Sequence, residues 1–257
     1  MTIHDYERHL VGQLCWECHA ATVACHAQQR QCPRCRHKWS YERRRVRWEL
    51  LKAFCLNATA HHAARVVRCH YSTAYNAYHR LRSALAEMSA EEKRPLLGEL
   101  ELDESYFGGR RKGKRGRGAA GKVAVFGILE RAGRVYTVAV PDCKKETLMA
   151  KIEASTVKGS VYYTDEFTSY NDLARLGKHV PIDHGEVFAD GEAHINGIEG
   201  FWSYAKRLHR LCHGVDRENF PLYLAEYEFR YNHRDDHLLT ILFDRLYKPL
   251  LIKGRLP

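Results

Sequence analysis

Two C-x-x-C pairs constrain the fold of the amino-terminal part of this 257-residue chain more than any other feature. The first pair is Cys15 and Cys18, and the second is Cys32 and Cys35. Each pair can bind one Zn²⁺ from a tight turn, and together they complete a tetrahedral site of four thiolates. The alternative, two redox motifs, is disfavoured by the separation of the pairs. Since so small a module buries little core, the metal would supply its stability. We therefore predict a structural zinc ribbon over residues 1–42.

The composition narrows the class of protein. Lys and Arg number 41 against 31 Asp and Glu, which gives a formal net charge of +10. Such an excess favours an anionic polymer as partner, because each phosphate contact releases a condensed counterion. No apolar run reaches the ~20 residues of a membrane span. The first ten residues lack the apolar stretch of a signal peptide. We expect a cytoplasmic protein, whose remaining cysteines are core residues or free thiols: Cys25, Cys55, Cys69, Cys143 and Cys212.

Helical periodicity follows over residues 43–88. The apolar spacing predicts three helices. The first spans 47–56, the second is capped by Thr59 and extends to about Val67, and the third is capped by Ser72 or Thr73 and extends to about Leu85. Two helices joined by a short turn are typical of a helix-turn-helix DNA-binding domain. A plain three-helix bundle fits this periodicity almost as well. The basic run Arg43-Arg-Arg-Val-Arg47 favours contact with DNA.

The third of these helices would enter a DNA groove. The side chains expected to face DNA are Ser72, Thr73, Tyr75, Asn76, His79 and Arg80. Residues 89–97 are polar and include Pro95, so we predict a linker there, before a larger domain at 98–257.

The larger domain is predicted to contain a mixed sheet. Its expected strands are 99–107, 122–130, 135–140, 160–164 and 179–182, with helices at 144–154, 166–176, 194–206 and 218–231. Three antiparallel strands followed by alternating helices and strands is the order of an RNase H-like fold, although other α/β orders fit the sequence. The predicted class is therefore a multidomain α+β and α/β protein: a four-cysteine zinc ribbon, a helix-turn-helix and an RNase H-like mixed-sheet catalytic domain.

Three carboxylates could meet on that sheet. Asp103 lies on the first, central strand, Asp165 ends the fourth, and Glu199 lies on a helix whose polar face also carries Asn196 and Lys206. Carboxylate oxygens suit Mg²⁺ or Mn²⁺, and two such ions can clamp the attacking and leaving oxygens of a phosphoryl transfer. Each acidic residue alone is more typical of a solvated surface. The predicted metal site therefore depends on the three carboxylates being considered together.

A basic segment leaves the first strand beside these carboxylates. Six positive charges in eight residues cannot pack, and an ordinary solvated loop is the alternative to a loop that grips the DNA backbone. We predict DNA contact for its basic residues: Arg110, Arg111, Lys112, Lys114, Arg115 and Arg117. Residues 238–251 form an apolar tail that can pack or support self-association.

Four segments together resemble a DDE transposase of a bacterial insertion sequence, in the group that joins a zinc ribbon to an RNase H-like catalytic domain. They are residues 101–109, 162–167, 194–207 and 226–234, and the resemblance extends from Cys15 to about Tyr247. It implies DNA cleavage and strand transfer at terminal inverted repeats by a nucleoid-associated bacterial enzyme. The implied partners are double-stranded transposon ends and target DNA, held by a homodimer or higher oligomer.

The resemblance also assigns roles to residues. It implies that Asp103, Asp165 and Glu199 bind two Mg²⁺ or Mn²⁺ ions, and that Lys206 contacts a DNA phosphate. Asn196 is expected to cap its helix or to bond the metal ligands, and neighbouring His194 is a further candidate. Two other functions remain open on the sequence: a zinc-dependent DNA-binding regulator with a silent catalytic domain, and a nuclease of the same fold without joining activity.

Overall fold

The computed structural model of the chain divides into two compact units. Unit 1 comprises Met1–Leu81 with His233–Pro257, and unit 2 comprises Arg82–Asn232. The predicted basic segment at 110–117 and His194 lie outside the described residues. The structure describes residues 2–10, 14–15, 18, 20–26, 29–108, 122–131, 133–165, 170, 172–182 and 195–247.

Unit 1 begins with a helix and a small antiparallel sheet. Helix α1 spans Ile3–Leu10, and the strands are β1 (Val23–His26), β2 (Gln29–Gln31) and β3 (Lys38–Ser40), in that order across the sheet. Trp39 pairs with Arg30, so β3 returns beside β2. The second cysteine pair lies between these two strands, because Cys32 directly follows β2 and Cys35 precedes β3. A cysteine pair on a tight turn is the arrangement that the C-x-x-C spacing predicted.

Three helices follow the small sheet. They are α2 (Tyr41–Cys55), α3 (Ala60–Val67) and α4 (Tyr71–Glu91). The predicted cap of α3 is confirmed, because Thr59 Oγ1 accepts a hydrogen bond of 3.2 Å from the His62 N–H. The predicted cap of α4 is wrong. His70 precedes this helix, and its Nδ1 accepts from the Ser72 N–H at 3.3 Å, so the helix begins before Ser72.

Helix α4 is longer than its predicted end at Leu85. Its buried side chains recur at three- and four-residue intervals as far as Met88, and this stripe keeps the chain helical through Glu91. The first residues of the predicted linker at 89–97 are therefore helical. The buried positions of the stripe are Ala74, Tyr78, Leu81, Leu85 and Met88.

An aromatic cluster forms the core of unit 1. The ring of Tyr6 on α1 lies 4.9 Å from that of Trp48 on α2 and 5.4 Å from that of Phe243, measured between centroids. Phe243 and Tyr247 belong to a π-helical turn, Phe243–Tyr247, that directly follows α8 (Leu238–Leu242). Part of the apolar tail predicted at 238–251 therefore packs within this unit. Offset and edge-to-face rings of this kind contribute more than their buried area alone.

Unit 2 is built on a five-stranded mixed sheet. The order across it is β6-β5-β4-β7-β8; β4, β5 and β6 are antiparallel neighbours, whereas β7 runs parallel to both β4 and β8. This confirms the three antiparallel strands and the central place of the first strand. The strands are β4 (Glu99–Phe107), β5 (Val123–Glu130), β6 (Val135–Val140), β7 (Val161–Asp165) and β8 (Lys178–Ile182).

Helices cover both faces of the sheet. Successive strand residues point to opposite faces, so Leu100 and Leu102 pack with α5 (Lys145–Ser155), while Phe107 packs with α6 (Asn196–Leu211) and α7 (Phe220–Asn232). The described part of the predicted helix at 166–176 forms only a 3₁₀ turn, Leu173–Arg175. Glu101 and Asp103 therefore lie on the face that α6 covers.

Side chains of helix α7 bond to part of the free edge of the sheet, at the start of β6. The Asn232 side chain accepts from the Val135 N–H at 2.8 Å and donates to the Val135 carbonyl at 3.0 Å. Glu228 accepts from the N–H and the hydroxyl of Thr137, both at 2.7 Å. Burial raises the pKa of Glu228 to about 7. Partners of this kind hinder pairing of another strand with this part of the edge.

No helix within the described ranges is long and apolar enough to cross a lipid bilayer.

A buried charge cluster on α7 leads to the first prediction. Glu226 accepts from Arg82 Nε at 2.6 Å and from Arg230 Nε at 2.9 Å, and all three residues are buried. Glu226→Ala would leave two guanidinium groups buried without their carboxylate. We expect a loss of about 3–5 kcal/mol in the free energy of unfolding, measured by urea denaturation. The control Glu218→Ala removes an exposed carboxylate before α7 and should change stability by less than ~0.5 kcal/mol. An equal effect of both variants would contradict this account.

Candidate functional site

The parallel pairing of β4 and β7 places two of the predicted carboxylates side by side. Glu101 lies opposite Tyr163 in this pair. Two residues further along each strand are Asp103 and Asp165, and a step of two keeps a side chain on the same face. Both carboxylates therefore point from adjacent strands toward the face that α6 covers. The backbone alone brings them together, although they are far apart in the sequence.

The surroundings of Asp103 favour its neutral form. Its carboxylate accepts a hydrogen bond of 2.8 Å from the Glu104 N–H. Burial nevertheless raises the pKa of Asp103 to about 6, and the nearby charges of Asp165 and Glu199 add to this effect. The electrostatic influence of both residues on Asp103 indicates that the three predicted carboxylates share one region. A cation placed there would relieve their repulsion.

Helix α6 brings Glu199 to this region in its first turn. Ile198 and Trp202 are buried against the sheet, whereas Glu199 is exposed. The structure corrects the predicted role of Asn196 as helix cap. The residue at the cap position is Ile195, and Asn196 is the first helical residue, with an exposed side chain.

Lys206 lies two turns further along α6 and close to the same carboxylates. Desolvation lowers the pKa of Lys206, the charge of Asp103 raises it, and the charge of Lys122, the residue before β5, lowers it. The ammonium group of Lys206 therefore lies near the acidic cluster, and that of Lys122 lies near Lys206. This arrangement suits a polyanion that approaches the carboxylates with a phosphate beside Lys206.

The three carboxylates are a hard-oxygen donor set of the kind that Mg²⁺ and Mn²⁺ prefer. Within the described part of the chain, they do not form a group whose ligand oxygens all lie within 4.8 Å of one another. The chemistry of this donor set therefore fits hard divalent cations.

Gly127 and Trp202 shape the floor of this site. Gly127 lies opposite Asp103 across the β4–β5 pair, and a Cβ there would meet Trp202 Cζ2 at 2.6 Å. The glycine thus makes room for the indole. The buried Nε1–H of Trp202 has no hydrogen-bond partner among the described residues, yet it is near enough to lower the pKa of Asp103. Periodicity in the sequence carried no signal for this contact.

The four predicted zinc ligands form a second site, in unit 1. Their sulfur atoms all lie within 4.8 Å of one another. Cys15 Sγ is 3.4 Å from Cys35 Sγ, and Cys18 Sγ is 3.5 Å from Cys32 Sγ. A tetrahedral Zn²⁺ with bonds of about 2.3 Å requires sulfurs about 3.8 Å apart, so these residues fit the ion. A hydrogen bond from the Cys35 N–H lowers the pKa of Cys32 to about 6, which favours the thiolate that a metal binds.

The predicted DNA-reading residues lie on one stretch of α4. Ser72, Thr73, Asn76 and Arg80 are all exposed, whereas Tyr75 and His79 are partly buried. The rings of Tyr71, Tyr75 and His79 follow one another along the helix, with centroids 5.9 and 6.5 Å apart.

The acidic site lies within a region that a family model matches. The ISXO2-like transposase domain matches residues 95–232, which is more than half of the 257-residue chain. The chain belongs to this transposase family. The matched region includes the three carboxylates, Lys206 and the α7 residues that fill the sheet edge. The zinc ligands and the exposed residues of α4 lie before it.

Two relatives support this placement. An uncharacterized transposase-like protein of Haemophilus influenzae is 36% identical over 121 residues, which are 46% of this chain and 98% of that protein. An uncharacterized protein in transposable element ISH50 of Halobacterium salinarum is 26% identical over 181 residues, which are 62% of this chain and 60% of that protein.

Solved structures of the Mos1 transposase are also similar to this chain. They are the strand transfer complex and a pre-cleavage transpososome, each with a TM-score of 0.33 and 12% identity over 82% of this chain, and over 79% and 80% of the respective Mos1 chains.

The zinc site gives the second prediction. The purified transposase should carry about one zinc per chain, measured by elemental analysis, and Cys32→Ser should lose it because three ligands no longer complete the tetrahedron. The matched control is Cys25→Ser, which alters an exposed cysteine of β1 outside the four-sulfur cluster and should keep the metal. Equal zinc in the two variants would contradict the assignment.

The environment of Asp103 gives the third prediction. Its pKa is higher in the folded chain, about 6, than the ordinary value of 3.8, so ionisation of Asp103 costs stability as pH rises through this interval. Without divalent metal, Asp103→Asn should therefore be more stable than the wild type above pH ~6, by about 3 kcal/mol, with no difference below pH ~4.

The control for this prediction is Asp172→Asn. A hydrogen bond from Lys145 lowers the pKa of Asp172, so its loss should not stabilise the chain at any pH. Denaturant unfolding between about pH 4 and pH 8 measures both variants. Destabilisation by Asp103→Asn at neutral pH would contradict the assigned environment.

Proposed function

We propose that this protein is a transposase that binds the terminal inverted repeats of its element, cleaves the DNA at those ends and joins the 3′-hydroxyls to target DNA. The observation that carries the proposal is the register of β4 and β7, which aligns Asp103 with Asp165 beneath the helix of Glu199. The sheet order, with three antiparallel strands followed by two parallel ones, is that of an RNase H-like fold and supports this proposal.

The carboxylates would hold two Mg²⁺ or Mn²⁺ ions. Asp103 and Asp165 would bind them from adjacent strands, and Glu199 would complete the set from α6. When bound, the ions supply an activated water or 3′-hydroxyl and stabilise the departing 3′-oxygen. The chain's own contribution is to fix these ligands in position, and Lys206 would hold the adjacent phosphate. Asn196, at the exposed start of α6, would donate a hydrogen bond to one of the metal-binding carboxylates or to DNA and would not bind the metal itself.

DNA recognition is proposed for the amino-terminal part of the chain. Helices α3 and α4 are joined by a three-residue turn, and the exposed residues of α4 offer hydroxyl, amide and guanidinium groups. Such groups are suited to base edges and phosphates. We therefore propose that α4 is the reading helix of a helix-turn-helix, and that the zinc ribbon supports end binding.

Two ends must be held together for joining. We therefore propose at least a dimer on DNA, with the basic residues of 110–117 on the backbone near the cleaved phosphate.

The fourth prediction tests the acidic site with labelled inverted-repeat DNA. In Mg²⁺ or Mn²⁺, the wild type should give cleaved and joined products, and Asp165→Asn should lose both by more than ~100-fold, because losing even an outer partner of a metal ligand costs about 10–100-fold. DNA binding, measured by gel shift, should persist in the mutant. Asp172→Asn is the control, since Asp172 forms a surface ion pair with Lys145, and it should keep full activity.

Other outcomes point to the two alternatives. Tight DNA binding without products from the zinc-loaded wild type would overturn the proposal in favour of a regulator. Metal-dependent cleavage without joined products would favour a nuclease of the same fold.

A further inference from the structure

A second carboxylate of β4, Glu101, occupies a position that the proposed chemistry does not use. It lies two residues before Asp103 on the same face of the strand, and it is only 1% exposed. Its Oε1 accepts a hydrogen bond of 3.1 Å from Arg131 Nε, and its Oε2 accepts one of 2.9 Å from the Ile198 N–H. We call Glu101, Arg131 and this N–H the Glu101 clamp.

The clamp holds the beginning of α6. The first N–H groups of a helix have no acceptor within the helix. Ile195, at the cap position, has no polar side chain to supply one, and Glu101 supplies it from the neighbouring strand. A carboxylate is also favoured near the positive end of the helix dipole. The residue after Ile198 is Glu199, so the clamp fixes the backbone next to the proposed third metal ligand.

A glycine allows the helix to approach the strand this closely. A Cβ on Gly197 would lie 2.5 Å from Leu129 Cδ2 and 2.8 Å from Glu101 Oε2. Any other residue there would force either the start of α6 or the buried side chains of Leu129 and Glu101 to shift. Gly200, one turn later, is different, because no described atom lies within 4 Å of its Cβ position.

The basic partner of the clamp is itself held in place. The guanidinium of Arg131 lies 3.7 Å from the centroid of the Tyr163 ring on β7 and 3.3 Å from Glu99 on β4. Tyr163 in turn donates a hydrogen bond of 3.1 Å to Glu99. Arg131 is therefore held by contacts with both strands that carry the aspartates, and it in turn orients Glu101.

We propose that Glu101 is a positioning residue: it ties the first turn of α6 to β4 and thereby sets the place of Glu199 relative to Asp103. This inference rests on the proposed function, because it takes Glu199 to be a metal ligand. It is separate from that function, because Glu101 itself is turned to the helix backbone and to Arg131.

Binding of Mn²⁺, measured by calorimetry without DNA, is the first test. Glu101→Ala should weaken Mn²⁺ binding about 10-fold or more, as the loss of a partner around metal ligands does elsewhere. Glu101→Gln keeps an oxygen for the Ile198 N–H and should recover most of the affinity. Because Glu101 acts through Glu199, the double variant with Glu199→Ala should bind no more weakly than Glu199→Ala alone.

Two glycine variants repeat the test without changing any charge. Gly197→Ala should weaken Mn²⁺ binding, because the new methyl group displaces either the start of α6 or the Glu101 carboxylate that holds it. Gly200→Ala is its matched control in the same helix and should bind Mn²⁺ as the wild type does. Amide hydrogen exchange in the first turn of α6 should become faster in Glu101→Ala and Gly197→Ala but not in Gly200→Ala.

The outcomes separate the inference from the function on which it rests. The positioning role would be overturned if Gly197→Ala and both Glu101 variants kept the Mn²⁺ affinity of the wild type and its amide exchange in the first turn of α6. If Glu199→Ala bound Mn²⁺ as tightly as the wild type, the proposed metal role of Glu199 would fail, and the exchange data would still report whether Glu101 holds the helix. If Glu101→Ala did not fold, Glu101→Gln and Gly197→Ala would decide the matter.

Discussion

The parallel pairing between β4 and β7 is the interaction on which the candidate active site depends. It sets Glu101 opposite Tyr163, and from that register Asp103 and Asp165 follow two residues later on the same face. A slip of one residue would turn one carboxylate to the opposite side of the sheet, among the apolar residues that pack with α5. Because β4 is also paired along almost its whole length with β5, such a slip would break two ladders at once.

The site is assembled at some cost to the stability of the sheet. Asp103 is held where burial and like charges favour its neutral form, and the buried N–H of Trp202 near it makes no hydrogen bond of ordinary geometry in the described structure. Features of this kind are typical of functional sites, which keep groups that packing alone would not select. Elsewhere in unit 2, polar groups have partners: side chains of α7 bond to the start of β6, and the buried ion pairs of Glu226 anchor α7.

Much of this arrangement could be predicted because its signals are local. Alternation in 99–107 predicted β4, and the spacing of the cysteines predicted the four-sulfur cluster. Contacts between distant residues had no such signal. Glu101 and Ile198 are 97 residues apart, and the role of Gly127 depends on the packing of Trp202. The predicted ends of α4 were wrong for a related reason. His70 rather than a hydroxyl residue bonds the first turn, and the stripe of buried side chains continues beyond the predicted end at Leu85.

The most direct test of the account is the position of bound Mn²⁺. Anomalous scattering from crystals of the protein with end DNA and Mn²⁺ would locate the ions without relying on activity. We expect two peaks about 3.5–4 Å apart, in contact with Asp103 and Asp165, with Glu199 bound to one of them. Manganese density away from these three carboxylates, in crystals where DNA is bound, would contradict it.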